Sequence, residues 1–300
     1  MKKFYLDNQQ LIAILFMILG MFCLSVNDVN VKWLNQKFPV WEVVFFRAFS
    51  GMIISIFLVL KFGIKTLKTT KPIAHLIRSF SAVATVVLYF FGLKFLQLSE
   101  NVALAHSGPI IATVLAVPIL GEKLGIKRLS AVVFGFIGVL IIVQPGSDLF
   151  KIESLLPIGS AVFMAFSYLS LRFIMKTDSS ISIIFYYSLA LLTTSILFFP
   201  ADFKIPNNLE LALLLGLGVM GSLGHYFLSQ AAKRADTAII TPFEYSAFIW
   251  VIILGYIVFG EIPSSTVLLG GIIIIISGIY IIYREKFNTN RIIKKEPFNV

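Results

Sequence analysis

Glu244 is a carboxylate in apolar surroundings. It stands about eight residues into a run that begins Asp236-Thr237-Ala238-Ile239-Ile240-Thr241-Pro242-Phe243-Glu244-Tyr245 and meets no further charge until Gly260-Glu261. A carboxyl group there can take up or release a proton as a cationic partner leaves or arrives. Thr241, Tyr245 and Phe248 fall on its flank at helical spacing. Pro242 removes a backbone donor and frees a carbonyl, which a helix tolerates where it lines a cavity or packs on protein. A second group lies near the start of the chain, where Ser25, Asp28 and Lys32 share one helical face with Asn27 beside them. Arg47 follows in the next apolar run. Counted from the ends of their segments, Asp28 and Arg47 both lie about 10 Å deep, so they can meet across helices as a structural pair or a gate. The competing arrangement is an intrahelical Asp28–Lys32 pair.

Weaker candidates surround these. His106, beside Gly108-Pro109, is the first-half counterpart of Glu244. Tyr168, His225 and Trp250, with Tyr186, Tyr187 and Tyr226, could wall a pocket, although ordinary helix packing is the plainer use of any one of them. Arg78 is close enough to the end of its run to snorkel to the surface. Glu122 and Glu261 end their helices, where a charge is cheap, and are expected to hold turns. Cys23 is the single cysteine and the three histidines are scattered, so neither a disulfide nor a metal site is expected. Gly-x-Ser-x-Gly, His-Glu-x-x-His and the phosphate-binding Gly-x-x-x-x-Gly-Lys-[Ser/Thr] pattern are all missing, which argues against a hydrolase, a metalloprotease and an ATP-driven motor. No cofactor is implied.

The elements that must position these groups are membrane helices. The chain is 58% hydrophobic and 13% charged, about half the charge of an ordinary soluble domain. Apolar runs separated by turn residues predict ten helices, near 10–33, 40–60, 73–95, 100–120, 126–145, 154–175, 180–199, 209–231, 236–259 and 264–283. With the N-terminus inside, about 18 of the 25 Lys and Arg residues fall in cytoplasmic segments and about 5 outside. The net charge of +10 is therefore explained by topology, and nucleic-acid binding is not needed. Both termini are expected in the cytoplasm, with 284–300 a basic tail near anionic headgroups.

Two stretches echo each other. Ser99-Glu100-Asn101-Val102-Ala103 leads to Gly121-Glu122, as Ala235-Asp236-Thr237-Ala238 leads to Gly260-Glu261. Ten spans divided by a duplication give five-helix repeats, 10–145 and 154–283, and an odd count inverts one against the other. Many secondary transporters share this plan and bind cargo near mid-membrane between the repeats.

At this point the chain resembles the drug/metabolite transporter superfamily of EamA type. The likeness rests on the two Gly-Glu endings, Gly135, Gly138, Gly270 and Gly278 in the last helix of each half, and Phe45-Phe46-Arg47. More narrowly, Asn27-Asp28-Val29 with Lys32, Glu42-Val43, Thr66-Leu67-Lys68-Thr69 and Asp236-Thr237-Ala238 resemble S-adenosylmethionine uptake carriers of obligate intracellular bacteria. Pro242-Phe243-Glu244-Tyr245 instead resembles the form found in general EamA carriers. The resemblance implies an inner-membrane carrier of a small organic cargo, working by alternating access, alone or as a homodimer. For S-adenosylmethionine, Glu244 or Asp28 would meet the cation, Tyr245, Trp250 and Tyr168 the sulfonium and adenine, and Arg47 the carboxylate. Export of amino acids or toxic cations would use the same groups.

Overall fold

The computed structural model describes residues 8–121, 125–174, 177–235 and 237–295. Among them there is no strand. The elements are α1 (Asn8–Asn35), α2 (Val40–Phe62), α3 (Pro72–Phe95), α4 (Leu98–Ala105), α5 (Gly108–Leu120), α6 (Ile126–Val143), α7 (Leu155–Ile174), α8 (Ser180–Leu197), α9 (Asn208–Ala232), α10 (Thr237–Ile240), α11 (Ser246–Phe259) and α12 (Ser265–Lys295). Short 3-10 segments occur at Ile64–Leu67, Ile152–Ser154 and Thr241–Tyr245. A helix satisfies its backbone internally, which is what lipid demands of an apolar chain.

Eight helices among the described residues are long and apolar enough to cross a membrane, and Leu129–Val143 and Ser265–Ile281 are shorter apolar helices. Large apolar side chains face outward around the bundle, among them Ile126, Leu60 and Leu197 at 85%, 78% and 81% exposure. A soluble protein would hide such a belt, and a bilayer covers it.

Local chemistry explains the helix ends. Asn207 caps α9 in a reciprocal box with Glu210, and the Ser179 side chain caps α8. Gly121 and Gly260 both end their helices with positive φ, 68° and 66°, where a Cβ would be strained. Glu122, expected to hold the first of these turns, lies outside the described residues, as does Asp236.

Two expected helices are broken. The run 100–120 is divided at His106-Ser107 into α4 and α5, and the run 236–259 is divided into α10, a 3-10 turn and α11. Pro109 lies just beyond the first break and Pro242 within the 3-10 turn of the second, and their rings cannot continue the i−4 ladder. The last helix also runs past 283 to Lys295, so the backbone of the expected tail is helical that far.

The packing pairs first-half helices with second-half ones. α1 lies on α9, α3 on α7, α2 on α8 and α6 on α12. α5 packs on α7, as α11 packs on α1. Glycines let two of these pairs touch closely. A Cβ on Gly270 would sit 2.6 Å from the Gly138 carbonyl, and one on Gly20 would sit 3.1 Å from the Gly224 carbonyl. Without a hydrophobic drive between helices in lipid, such close backbone contact is a main source of association.

Candidate functional site

The bundle carries two polar clusters, one toward each face. The face where α1 begins is called the N-terminal face here, and the face of the α1–α2 turn the far face.

The far cluster is built on α1, α2 and α3. The Tyr89 hydroxyl donates to Asp28 Oδ2 at 2.8 Å. With its amide oriented to satisfy both ends, Asn27 donates to the Leu217 carbonyl at 3.0 Å and accepts from Arg47 Nη1 at 3.2 Å. The Arg47 guanidinium lies over the buried Phe90 ring, 5.2 Å from its centre, and its charge reaches Asp28, Tyr89 and His225. Gly218 makes room for α2 beside α9, since a Cβ there would sit 2.9 Å from the Gly51 backbone nitrogen. His225, which the Arg47 charge reaches, lies on α9.

The competing arrangement, an Asp28–Lys32 pair, is not formed. Lys32 instead meets Glu261 Oε1 at 2.6 Å and donates to the Leu96 carbonyl, with both charged side chains largely buried. Glu261 also accepts from the Leu98 backbone N–H at 2.8 Å. Glu261 therefore does hold a turn, but it also ties the α11–α12 link to α1 and to the start of α4. The reason is geometric: the long lysine arm reaches a carboxylate and a free helix-end carbonyl at once, while the short Asp28 finds Tyr89 first. Tyr89 itself carries no sequence signal beyond being one of ten tyrosines. Further links lie on this face, with Lys151 to Glu100 at 3.2 Å, Lys37 to Glu210 at 3.0 Å and the Lys204 backbone N–H to Glu42 at 3.2 Å.

The cluster toward the N-terminal face is built on α3, the α4–α5 break, α7, α8 and the 3-10 turn. Arg78, Tyr168 and Tyr187 each lie about 10 Å from a helix end at 1.5 Å per residue. Arg78 does not snorkel. Its Nε and Nη1 are buried with no hydrogen-bond partner, and its charge bears on Tyr168 and Tyr187. Tyr168 also feels Glu244, so the guanidinium and the carboxylate both bear on it. Neither charge forms an ion pair with a described residue. The His106 ring lies 5.5 Å from that of Tyr245 and engages the Glu244 backbone and the Val102 carbonyl, the latter at 2.8 Å. The Tyr245 hydroxyl fits the notch left by Gly278 and has no hydrogen-bond partner.

The nine expected site residues thus divide. Asn27, Asp28, Arg47 and His225 belong to the far cluster, and His106, Tyr168, Glu244 and Tyr245 to the other. Trp250 turns toward α1, edge-on to Phe22 at 5.1 Å, with its Nε1 unpartnered. Tyr187 is joined to the second cluster and Tyr186 is not, since its hydroxyl donates to the Leu67 carbonyl at 2.9 Å. Between α2, α3 and α8 a groove lined by Trp41, Phe80, Val83 and Thr193 is apolar and separate from both clusters.

A latch of loops closes the N-terminal face. His75 Nε2 meets Asp178 Oδ2 at 2.7 Å, Ser179 donates to the Thr66 carbonyl at 2.7 Å, and Lys71 donates to the Phe173 carbonyl at 3.0 Å. The Thr69 hydroxyl, with Thr177 and His75, holds the Asp178 carboxyl down at about 2.

Polar groups that converge inside an apolar bundle of this plan direct the comparison to membrane carriers. The pattern of the EamA-like transporter family matches residues 11–144 and again 151–284. The chain belongs to the EamA-like transporter family. It is a multi-pass membrane transporter and not an enzyme. A curated relative, the S-adenosylmethionine uptake transporter of Rickettsia conorii, is 31% identical over 275 residues, covering 91% of this chain and 93% of its own. The riboflavin transporter of Vibrio cholerae is 32% identical over 229 residues, covering 76% and 77%. The pseudopaline exporter of Pseudomonas aeruginosa is 26% identical over 267 residues, covering 88% and 94%. A crystal structure superposes with a TM-score of 0.58 at 17% identity, covering 92% of this chain and 97% of that one, which supports the fold.

Proposed function

We propose that this chain is a secondary carrier of the bacterial inner membrane, with ten spans in two inverted five-helix repeats, 10–145 and 154–283, and both termini in the cytoplasm. The N-terminal face is then the cytoplasmic one. Helix pairing supports the inverted plan. Exchanging first-half helices with their second-half counterparts turns α1 on α9 into α7 on α3, and leaves α2 on α8 and α6 on α12 unchanged.

The favoured cargo is S-adenosylmethionine, taken up, with S-adenosylhomocysteine as an exchange partner. The observation that carries the transport reading is the cluster around Arg78, Tyr168 and Glu244. A buried charge without a partner costs several kcal/mol on insertion, about 2.5–3.5 at mid-membrane, and persists where function requires it. The similarity to uptake transporters over nine-tenths of the chain favours the cargo. The likeness to an exporter supports a second reading, efflux of amino acids or other small metabolites through the same hollow.

Radiolabelled uptake into cells expressing the chain tests both. Labelled S-adenosylmethionine should accumulate, and unlabelled S-adenosylhomocysteine should compete. No accumulation, together with faster loss of a preloaded amino acid, would replace uptake by efflux. Glu244→Gln should abolish uphill transport, and unchanged uphill transport would remove Glu244 as the coupling group.

A further inference from the structure

We infer that Arg78 and Glu244, with Tyr168, form a receptor for a zwitterion, with Arg78 taking the carboxylate of the cargo and Glu244 its cationic group. The inference rests on the carrier reading above and assigns the anion site to a residue that the sequence alone places at the surface.

Four observations carry it. First, Arg47 and Arg78 both lie well inside their helices, and they differ in occupation. Arg47 already has the Asn27 amide oxygen at 3.2 Å, the Phe90 ring beneath it and Asp28 nearby. Arg78 has two buried nitrogens with no partner at all. A planar guanidinium with free parallel donors is the side chain best matched to a carboxylate, which accepts two of its N–H groups at once. Second, Glu244 and Arg78 do not neutralise each other, because no ion pair joins them although Tyr168 feels both. Opposite charges that both bear on one aromatic ring and do not pair with each other can be met by a ligand that carries both. Third, Tyr168 is 53% exposed, so its ring is not fully packed against neighbouring helices. An aromatic face there suits a sulfonium or ammonium. Fourth, the groups come from both halves of the chain: Arg78 and His106 from the first, Tyr168, Tyr187, Glu244 and Tyr245 from the second. A ligand bound among them would tie the halves together, and alternating access could then follow its arrival and departure.

The chemical class that fits is an α-amino acid, or a larger metabolite that ends in one. Neutral or purely cationic molecules leave the guanidinium unsatisfied, and simple anions leave the carboxylate so.

The test is inhibition of labelled S-adenosylmethionine uptake in proteoliposomes by unlabelled S-adenosylmethionine and by its decarboxylated form. In the wild-type carrier the decarboxylated compound should compete about 10- to 100-fold less well, the worth of one charge-assisted hydrogen-bonded contact. Arg78→Gln should weaken competition by S-adenosylmethionine by a similar factor and bring the two competitors to near equality. Arg78→Lys should restore part of the preference. Equal competition by both compounds in the wild-type carrier would overturn the inference even if Arg78→Gln failed to fold. So would an Arg78→Gln carrier that keeps the full preference. Absence of wild-type uptake refutes the cargo reading instead. In that case a labelled neutral amino acid and its decarboxylated amine, applied in the same way, decide the receptor, and equal competition by that pair overturns it.

Discussion

Arg47 and Arg78 are the same side chain set at about the same depth in one apolar bundle, yet their surroundings diverge. Around Arg47 the main polar groups meet one another: Asn27 bonds both the guanidinium and the Leu217 carbonyl, and Asp28 takes the Tyr89 hydroxyl, although the Ser25 hydroxyl has no partner. In the other cluster Nε and Nη1 of Arg78 and the Tyr245 hydroxyl are left without partners. The contrast teaches which of two polar clusters is framework and which is site. Satisfied groups rigidify and specify packing, whereas unsatisfied ones wait for something the protein does not supply.

If that division is right, substitutions in the two regions should separate stability from transport. The largest loss of stability is expected from Lys32→Ala, which strands buried Glu261 and frees the start of α4. Thermal unfolding of the purified carrier in detergent should show about 3–5 kcal/mol lost, the cost of breaking a buried pair from one side. Arg47→Ala comes next, leaving Asn27 and Asp28 without their cation, at about 1–3 kcal/mol by the same assay. Arg78→Gln should sit at the other extreme. Removing a charge that has no partner should leave stability within about 0.5 kcal/mol of wild type, or raise it, while uptake falls. A destabilisation by Arg78→Gln as large as that by Lys32→Ala would erase the distinction between the regions.

The smallest expected effect concerns the latch between the loops of the N-terminal face. Asp178 is held at about 2, below its ordinary 3.8. A carboxyl depressed by folding stabilises the native state above its unfolded value and loses that contribution as pH falls toward the folded one. The unfolding midpoint should therefore drop between about pH 4 and pH 2, and Asp178→Asn should flatten the slope there. An identical acid slope in that variant would remove Asp178 from the latch.

Much of the fold was legible because lipid imposes a simple rule on sequence. Apolar runs about 20 residues long, broken by proline, glycine and asparagine, locate the helices, and the doubled Gly-Glu endings correspond to the two positive-φ glycines, Gly121 and Gly260. The candidate site was legible as a set of positions, since a lone Glu244 or Asp28 in such a run is conspicuous. The pairings were not. Whether Lys32 takes Asp28 or Glu261 depends on two side chains about 230 residues apart in sequence coming within 2.6 Å, and no local spacing encodes that. Arg78 differs for a related reason: its distance from a helix end permits snorkelling, but its Nε and Nη1 are buried and its charge bears on Tyr168 of α7 and Tyr187 of α8. The two helix breaks were signalled by Pro109 and Pro242, although the extent of the unwinding could be seen only in three dimensions.

The most direct test of the division is ligand-linked stabilisation, measured on one set of purified proteins. A ligand that binds only the folded carrier raises stability by RT ln(1 + [L]/Kd), about 2.7 kcal/mol at a concentration one hundred times Kd. S-adenosylmethionine should raise the unfolding temperature of the wild type and, by a similar increment, that of the weakened Lys32→Ala carrier. It should leave Glu244→Gln and Arg78→Gln nearly unmoved. An undiminished increment in both of those variants would contradict the account, because the cargo would then be held without the unpaired charges assigned to receive it.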